Sequence, residues 1–186
     1  GCTKSRSVEI LVLVGSARRN SVHEGIVEEI KKFIIEKDIT LKLVIPALDK
    51  LPIFNCDIES QICSNPLMRS AELDHTIREK AGSADAIIFV TPEINGSLSP
   101  LILNAFVWLS RSYSDRGSPL RYKRASVISA SYLSENQITD CMEMGKYFEM
   151  KFFHSSFYLF LGNKVTEESG HLSSAHERSR LEKWYK

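Results

Sequence analysis

The chain has 186 residues, of which 43% are hydrophobic and 25% are charged. This length and composition suit one globular domain with a sizeable core, and we expect a single domain over residues 1–186. The 24 Lys and Arg residues nearly balance the 23 Asp and Glu residues, which argues against a nucleic-acid partner or an acidic membrane surface. No stretch approaches the ~20 apolar residues of a membrane span, so stable membrane insertion is not predicted.

The cysteines form no C-x-x-C pair, so the sequence predicts neither a zinc knuckle nor a redox dithiol, and no metal site is predicted elsewhere. Unpaired cysteines of this kind are typical of reduced thiols in a cytoplasmic protein. The first residues, GCTKS, fit a lipidation pattern once an initiator Met is removed, but they also fit the scar of a cleaved tag, which we favour. We expect residues 1–7 to be flexible.

Apolar runs alternate with helical patterns along the chain. The predicted strands are residues 8–14, 41–45, 84–90, 125–129 and 157–161. The predicted helices are residues 21–37, 66–81, 97–110 and 135–151, followed by a polar helix in the tail at 163–186. Residues 46–66 contain three prolines and two cysteines and are predicted to be a long irregular segment.

The predicted strands mostly lack a polar face, which is typical of a parallel sheet covered on both sides. We therefore expect an α/β, three-layer, flavodoxin-like fold, with a five-stranded parallel sheet of order 2-1-3-4-5 and helices on both faces. Ligands of such sheets bind at the carboxyl ends of the strands where the order reverses, which is between strands 1 and 3. Two loops should therefore carry function, residues 15–21 (the first loop) and residues 91–97 (the second loop).

The first loop, GSARRNS, ends at a predicted helix start, where free backbone N–H groups and the positive end of the helix dipole attract anions. Ser16, Ser21 and the guanidinium groups of Arg18 and Arg19 add donors suited to phosphate oxygens. Gly15 is expected to permit a tight turn. A capping box of Ser21 with Glu24 explains part of the loop but leaves both arginines unexplained, so we favour an anion site. The loop is neither a Walker A sequence nor a G-x-G-x-x-G fingerprint.

The second loop lies in the sequence TPEINGSLSP, where Pro92, Glu93 and Asn95 supply shape and polar groups. A planar heterocycle with donors and acceptors on its edge would suit these residues. From chemistry alone, an ordinary strand-to-helix turn capped by Ser97 or Ser99 is the better interpretation.

A family resemblance favours the ligand-binding interpretation of the second loop over an ordinary turn. The stretch ADAIIFVTPEINGSLSPLILNAFVWLSR resembles the signature of the NADPH-dependent FMN reductase family, and the first loop resembles that family's phosphate loop, G-S-x-R-x-x-S-x-N. The stretch LDKLPIFNCDIE also resembles the family's segment after strand 2. The resemblance covers about residues 8 to 162 and implies a flavodoxin-like fold, FMN as cofactor, NADPH or NADH as electron donor, and a dimer or tetramer.

The resemblance also implies roles for individual residues. Those implied to hold the FMN phosphate and line the helix start are Ser16, Arg18, Ser21, Val22 and His23. Those implied to lie along the isoalloxazine ring are Pro92, Glu93, Ile94 and Asn95, with Ser131 in a third loop. Family members pass electrons from the nicotinamide through the flavin to a quinone, azo dye, metal ion, flavin or oxygen, and we name no catalytic side chain because the flavin supplies the chemistry.

Several residues depart from the family pattern. Ile94 stands where the family has Tyr, His23 stands where it has Asn, and the third loop, SASYLSENQ at residues 129–137, lacks the family's glycines. These departures leave two alternatives open beside a flavin reductase. One is a flavodoxin-like binding or regulatory module with weakened or absent flavin binding, and the other is an enzyme that holds a different phosphorylated ligand in the first loop.

The predicted helix at residues 98–110 is apolar nearly all round, whereas a surface helix should have a polar face. We expect one face to pack on the sheet and another to form a homodimer or homotetramer interface. The alternative is that the irregular segment at 46–66 covers this second face.

Overall fold

A computed structural model describes residues 7–64, 74–111, 117–153, 156–161, 172 and 174–185. The strands are β1 Val8–Val14, β2 Leu41–Val44, β3 Ala86–Ile94, β4 Ser97–Leu98, β5 Arg124–Ser131, β6 Lys151–Phe152 and β7 Phe157–Phe160. The α-helices are α1 Val22–Glu36, α2 Cys56–Ser64, α3 Asp74–Ser83, α4 Pro100–Ser110, α5 Asn136–Lys146 and α6 Ala175–Tyr185, with a short 3-10 helix at Leu48–Lys50.

Four predictions concern, wholly or in part, residues outside these ranges. The flexible terminus and the lipidation pattern fall on residues 1–6, part of the predicted helix at 66–81 falls on 65–73, and the start of the predicted tail falls on 162–171. The single-domain organisation stays a prediction. Within the described ranges, no helix combines the length and the hydropathy needed to cross a lipid bilayer.

The strands form a mainly parallel sheet of order β2-β1-β3-β5-β6, which confirms the predicted α/β, flavodoxin-like fold class. The predicted count of five strands is wrong for two reasons. The short strand β4 pairs antiparallel with the end of β3 and forms a hairpin. The predicted fifth strand corresponds to β7, which pairs with the end of β5, whereas the start of β5 pairs with β6, a further strand that begins at the last residue of the helix predicted over 135–151.

Two apolar cores hold the helices on opposite faces of the sheet. On one face, α1 contributes Ile26, Ile30 and Phe33, and α6 contributes Leu181. On the other face, side chains of α3, α4 and α5 pack against β1, β3 and β5. This arrangement of helix, sheet and helix is the expected three-layer architecture.

The predicted irregular segment at 46–66 contains a 3-10 helix and α2. Asn55 begins α2 by accepting a hydrogen bond from the Asp57 amide at 2.7 Å. The residues before it lie along α4, where the Asn104 amide group donates to the Pro52 carbonyl at 2.8 Å and accepts from the Phe54 amide at 2.8 Å. The Trp108 indole also donates to the Pro52 carbonyl at 2.8 Å. One face of α4 is therefore covered within the chain.

Candidate functional site

The carboxyl ends of β1, β3 and β5 surround a cleft of about 730 Å³, which we call the first cleft. Its walls are the first loop, the second loop and the third loop. All ten residues that the family resemblance singled out line it, namely Ser16, Arg18, Ser21, Val22, His23, Pro92, Glu93, Ile94, Asn95 and Ser131. The fold therefore brings residues up to 115 positions apart in the sequence together at one site.

The first loop turns into α1 at Ser21, whose hydroxyl accepts a hydrogen bond from the Glu24 amide at 3.2 Å. The predicted cap is thus present. The next N–H groups of this first turn have no carbonyl partner inside the helix, as at any helix start. Ser16 is half-buried and its hydroxyl accepts from the Arg18 amide at 3.4 Å, while the Arg18 side chain is exposed at the cleft. This end of the first cleft is rich in hydrogen-bond donors.

Gly15 serves a different purpose from the one predicted. Its φ angle is not positive, and the sharp backbone turn occurs at Asn20 instead, with a φ of 54°. A Cβ atom on Gly15 would lie 2.5 Å from the Ser99 hydroxyl and 2.8 Å from a side-chain carbon of Ile102. Glycine is needed because the start of α4 packs directly against the first loop.

His23 follows the cap and is buried at 5% exposure. Its Nε2 lies 3.1 Å from the backbone carbonyl of Ala130 in β5. Burial lowers the pKa of His23 to about 4, although hydrogen bonds to the backbone of Ala130 and Thr91 oppose that shift. The imidazole is therefore neutral near pH 7 and links the start of α1 to the ends of β3 and β5.

In the second loop, Asn95 and Gly96 form the turn between β3 and β4, with φ angles of 52° and 77°. The Glu93 carboxylate fixes this turn by accepting from the Gly96 amide at 2.7 Å. Its other oxygen accepts from the Ser134 amide at 3.2 Å, so Glu93 also holds the third loop. We call this pair of hydrogen bonds the Glu93 bridge.

The third loop has a second anchor at Ser131, which is buried and donates to the Ser134 carbonyl at 2.6 Å. Gln137 donates to the same carbonyl at 2.9 Å from the start of α5. Between these anchors, Tyr132 and Leu133 are 66% and 81% exposed although they line the cleft. The tip of the third loop therefore presents two exposed side chains to the cleft, while hydrogen bonds hold the base of the loop in place.

Several lining residues were not predicted as site residues. Ser99, Pro100 and Leu101 come from the start of α4, Leu133 from the third loop, and Leu161 from the end of β7. The preference of ligand clefts for strand ends could have indicated Leu161. Nothing local in the sequence indicates Leu101 and Leu133, because their place depends on how α4 and the third loop pack.

The sequence matches the family described as NADPH-dependent FMN reductase over residues 8–159. The chain belongs to this family. The resemblance inferred from its motifs is therefore confirmed, and the family's description includes both FMN and NADPH, in agreement with the predicted cofactors.

Three curated relatives are 29–30% identical to this chain over the aligned residues. A protein of Oryza sativa subsp. japonica named probable NADPH:quinone oxidoreductase 2 is 30% identical over 136 residues, covering 70% of this chain and 60% of that protein. A quinone reductase of Pseudomonas putida is 29% identical over 127 residues, covering 68% and 62%. An NADPH:quinone oxidoreductase of Arabidopsis thaliana is 30% identical over 104 residues, covering 56% and 50%. The chain spans half to about three fifths of these relatives' length.

Solved structures support the fold. FerB, a flavoenzyme NAD(P)H:(acceptor) oxidoreductase from Paracoccus denitrificans, superposes with a TM-score of 0.75 at 19% identity, covering 96% of this chain and 93% of that one. An azoreductase from Bacillus anthracis superposes with a TM-score of 0.63 at 14% identity, covering 96% and 98%.

The residues of the first cleft fit FMN at both ends. At the first loop, hydroxyl, guanidinium and helix N–H donors match a phosphate. At the other end, the apolar side chains of Ile94 and Leu133 line the cleft together with the polar backbone of the second loop, a combination that suits a flat ring with a polar edge. The volume of about 730 Å³ is typical of a small-molecule site.

Proposed function

We propose that the protein is an FMN-dependent NAD(P)H oxidoreductase, which passes electrons from NADPH or NADH through FMN to a small acceptor. The observation that carries this proposal is the convergence of all ten resemblance-derived residues on the first cleft. The acceptor classes implied by the resemblance are quinones, azo dyes, metal ions, flavins and oxygen. Relatives named as quinone reductases favour a quinone among them.

In this proposal the first loop binds the FMN phosphate. Ser16 and Arg18 donate to its oxygens, and the dipole and N–H groups at the start of α1 stabilise its negative charge. Ser21 fixes the helix start through its cap, and its own hydroxyl hydrogen remains available to a phosphate oxygen. Val22 and His23 line the path from the phosphate toward the ring.

The second and third loops hold the ring. The backbone from Pro92 to Asn95 meets its edge, in a conformation that the Glu93 bridge fixes. The apolar wall of Ile94 and Leu133 excludes water from the ring and offers contact area to a nicotinamide or to an aromatic acceptor. When bound, FMN supplies the hydride and electron transfer chemistry, while these residues orient it.

The test is an absorbance scan of the purified protein, alone, after addition of FMN, and after addition of NADPH. We expect bound flavin that bleaches with NADPH and recovers on addition of 1,4-benzoquinone. Arg18→Ala should weaken FMN binding by about tenfold through loss of a charged phosphate contact. The matched control is Arg124→Ala. Arg124 is an exposed arginine at the amino end of β5, whereas the first cleft lies at the carboxyl end of that strand.

The alternatives give different results in the same scan. Flavin that binds but is bleached by neither NADPH nor NADH would indicate a flavin-binding module without reductase activity. Absence of any flavin uptake would reject the proposal and leave the first loop for another phosphorylated ligand.

We also propose a homodimer that uses the remaining face of α4, on the basis of Leu103, which is exposed, and Val107, which is half-buried. A cytoplasmic location is proposed as well, because Cys56 and Cys141 are both free thiols, as in reducing compartments.

A further inference from the structure

The second and third loops form the end of the first cleft that the proposed function assigns to the flavin ring, and this end carries exposed apolar side chains. Ile94 of the second loop and Tyr132 and Leu133 of the third loop are exposed and line the cleft. Leu161 lines it from the end of β7 and is half-buried. Apolar side chains left exposed together at a cleft offer contact area to an apolar ligand.

The same end of the cleft has no free cation among the described residues. The charged residues that line the first cleft in this part of the chain are Arg18 and Glu93, because burial keeps His23 neutral near pH 7. Arg18 belongs to the first loop, where the proposed function pairs it with the FMN phosphate. Glu93 is negative, and both of its oxygens are used in the Glu93 bridge.

Further carboxylates lie close to these two loops. Glu135 is exposed two positions after Leu133. Asp140 of α5 accepts a hydrogen bond from the hydroxyl of Ser97, next to the second loop, at 3.3 Å. Together with Glu93 they make the local potential negative, which disfavours an anionic ligand.

The polar groups on offer to a ligand at this end are uncharged hydrogen-bond donors. The hydroxyl of Tyr132 and the side-chain amide of Asn95 both belong to exposed residues that line the cleft. Such donors match the carbonyl oxygens of a quinone, which carry no formal charge.

We propose that the tip of the third loop, Tyr132 and Leu133, selects an uncharged aromatic acceptor of the quinone class and rejects acceptors that carry a sulfonate, a carboxylate or a metal oxyanion. This inference rests on the proposed function and narrows its acceptor classes. An anionic acceptor has to lose water beside apolar side chains without gaining a counterion there. Leu133 is the main specificity-determining residue, because it is the most exposed of the large apolar side chains described at the cleft.

Equilibrium dialysis of two anthraquinones against the oxidised, FMN-loaded protein measures acceptor binding without turnover. The probes are 2-(hydroxymethyl)anthraquinone, which is neutral, and anthraquinone-2-sulfonate, which has the same three rings and one negative charge. Neither has a free position on its quinone ring to which a cysteine thiol adds. We expect the wild type to bind the neutral probe at least about tenfold more tightly than the sulfonate.

A charge introduced at the tip should reverse part of this preference. Leu133→Arg places a cation there, at a position 81% exposed, where it does not disturb the core. The matched control is Tyr147→Arg, which adds the same charge at the end of α5, at a position that is 88% exposed and does not line the cleft. We expect Leu133→Arg to lower the preference for the neutral probe by at least about fivefold, through tighter binding of the sulfonate, and Tyr147→Arg to change it by less than about twofold.

The inference is overturned if the wild type binds the sulfonate as tightly as the neutral probe, if neither probe binds at millimolar concentration, or if the two variants change the preference equally. Failure of the proposed function is seen separately, in the absorbance scan. Flavin that binds but is not bleached leaves the dialysis able to decide the selectivity of the cleft, whereas absence of flavin uptake overturns both proposals.

Discussion

His23 combines near-complete burial with a titratable ring, and the first cleft depends on it for the link between α1 and β5. Burial lowers its pKa from 6.5 to about 4. In the unfolded chain the ring is hydrated and takes up a proton below pH 6.5, whereas the folded protein resists that proton until about pH 4. The unfolded state therefore binds more protons in this window, and stability falls as the pH falls through it.

The first prediction follows from this linkage. Between about pH 7 and about pH 4.5, His23 should cost the wild-type protein on the order of 2 kcal/mol of unfolding free energy. His23→Asn has no ring to titrate and should lack this component. Urea unfolding of both proteins at the two pH values measures it, since the acidic residues common to both cancel in the comparison. Parallel losses of stability in the two proteins would contradict the burial of a neutral imidazole.

At the scale of elements, the ring end of the cleft is assembled by the Glu93 bridge, which joins residues 41 positions apart in the chain, Glu93 and Ser134. Glu93→Gln is a nearly isosteric test, because glutamine offers only one acceptor oxygen and must turn its NH₂ toward one of the two N–H donors. Loss of a hydrogen bond to a charged group costs about 1.5–3 kcal/mol. The third loop should then open more often and carry Tyr132 and Leu133 with it.

The measurement for this second prediction is hydrogen–deuterium exchange of peptides covering residues 93–98 and 129–137 in the apoprotein. At least one of the two should exchange about tenfold faster in Glu93→Gln. The control is Glu135→Gln on the same loop, because Glu135 is exposed and its side chain does not cap α5. Equal exchange in Glu93→Gln and wild type would mean that the bridge does not hold the loops together.

Elements of the fold differed in how far the sequence determined them. Continuous apolar runs predicted β1 and the β3 core, because strands buried on both faces leave little ambiguity. The β3–β4 hairpin was missed although Asn95-Gly96 is a strong two-residue turn signal. Helix α2 was missed because the prolines on either side of it, Pro52 and Pro66, and its own polar residues are typical of a loop, while Asn55 as cap was the local signal for it.

Other features depend on contacts that no local pattern contains. The split of the edge strand into β6 and β7 is visible only in the register, where Phe152 pairs with Ala125 and Phe157 with Ile128. The chain therefore advances five residues along this edge, from 152 to 157, where β5 advances only three, from 125 to 128. Likewise, the first loop was recognisable from its donors, but Arg18 and Arg19 line different clefts, because residues 45–49 face the start of α1 across a separate cleft that Arg19 lines.

At the scale of the whole molecule, two sets of contacts within the chain explain why α4 is apolar on more than one face, one with the sheet and one with residues 51–54. Phe106 is buried at 1% exposure and stacks on Phe89 with ring centroids 4.9 Å apart, while Asn104 and Trp108 bind the segment at residues 51–54. The predicted alternative, cover by the segment after β2, therefore accounts for part of the helix.

What remains of α4 is a narrow face with Leu103, which is 36% exposed, and Val107 one turn later. The proposed homodimer has to use this face.

The third prediction is that Leu103→Asp combined with Val107→Asp halves the mass measured by light scattering after size exclusion, because each carboxylate buried without a partner should weaken association by at least about tenfold. Ile35→Asp on α1, at a site 78% exposed, is the matched control. Phe106→Asp is unsuitable, since it puts a charge into the core and should unfold the chain. A monomeric wild type, or a dimer that persists in the double variant, would place any association elsewhere and leave α4 with a purely internal role.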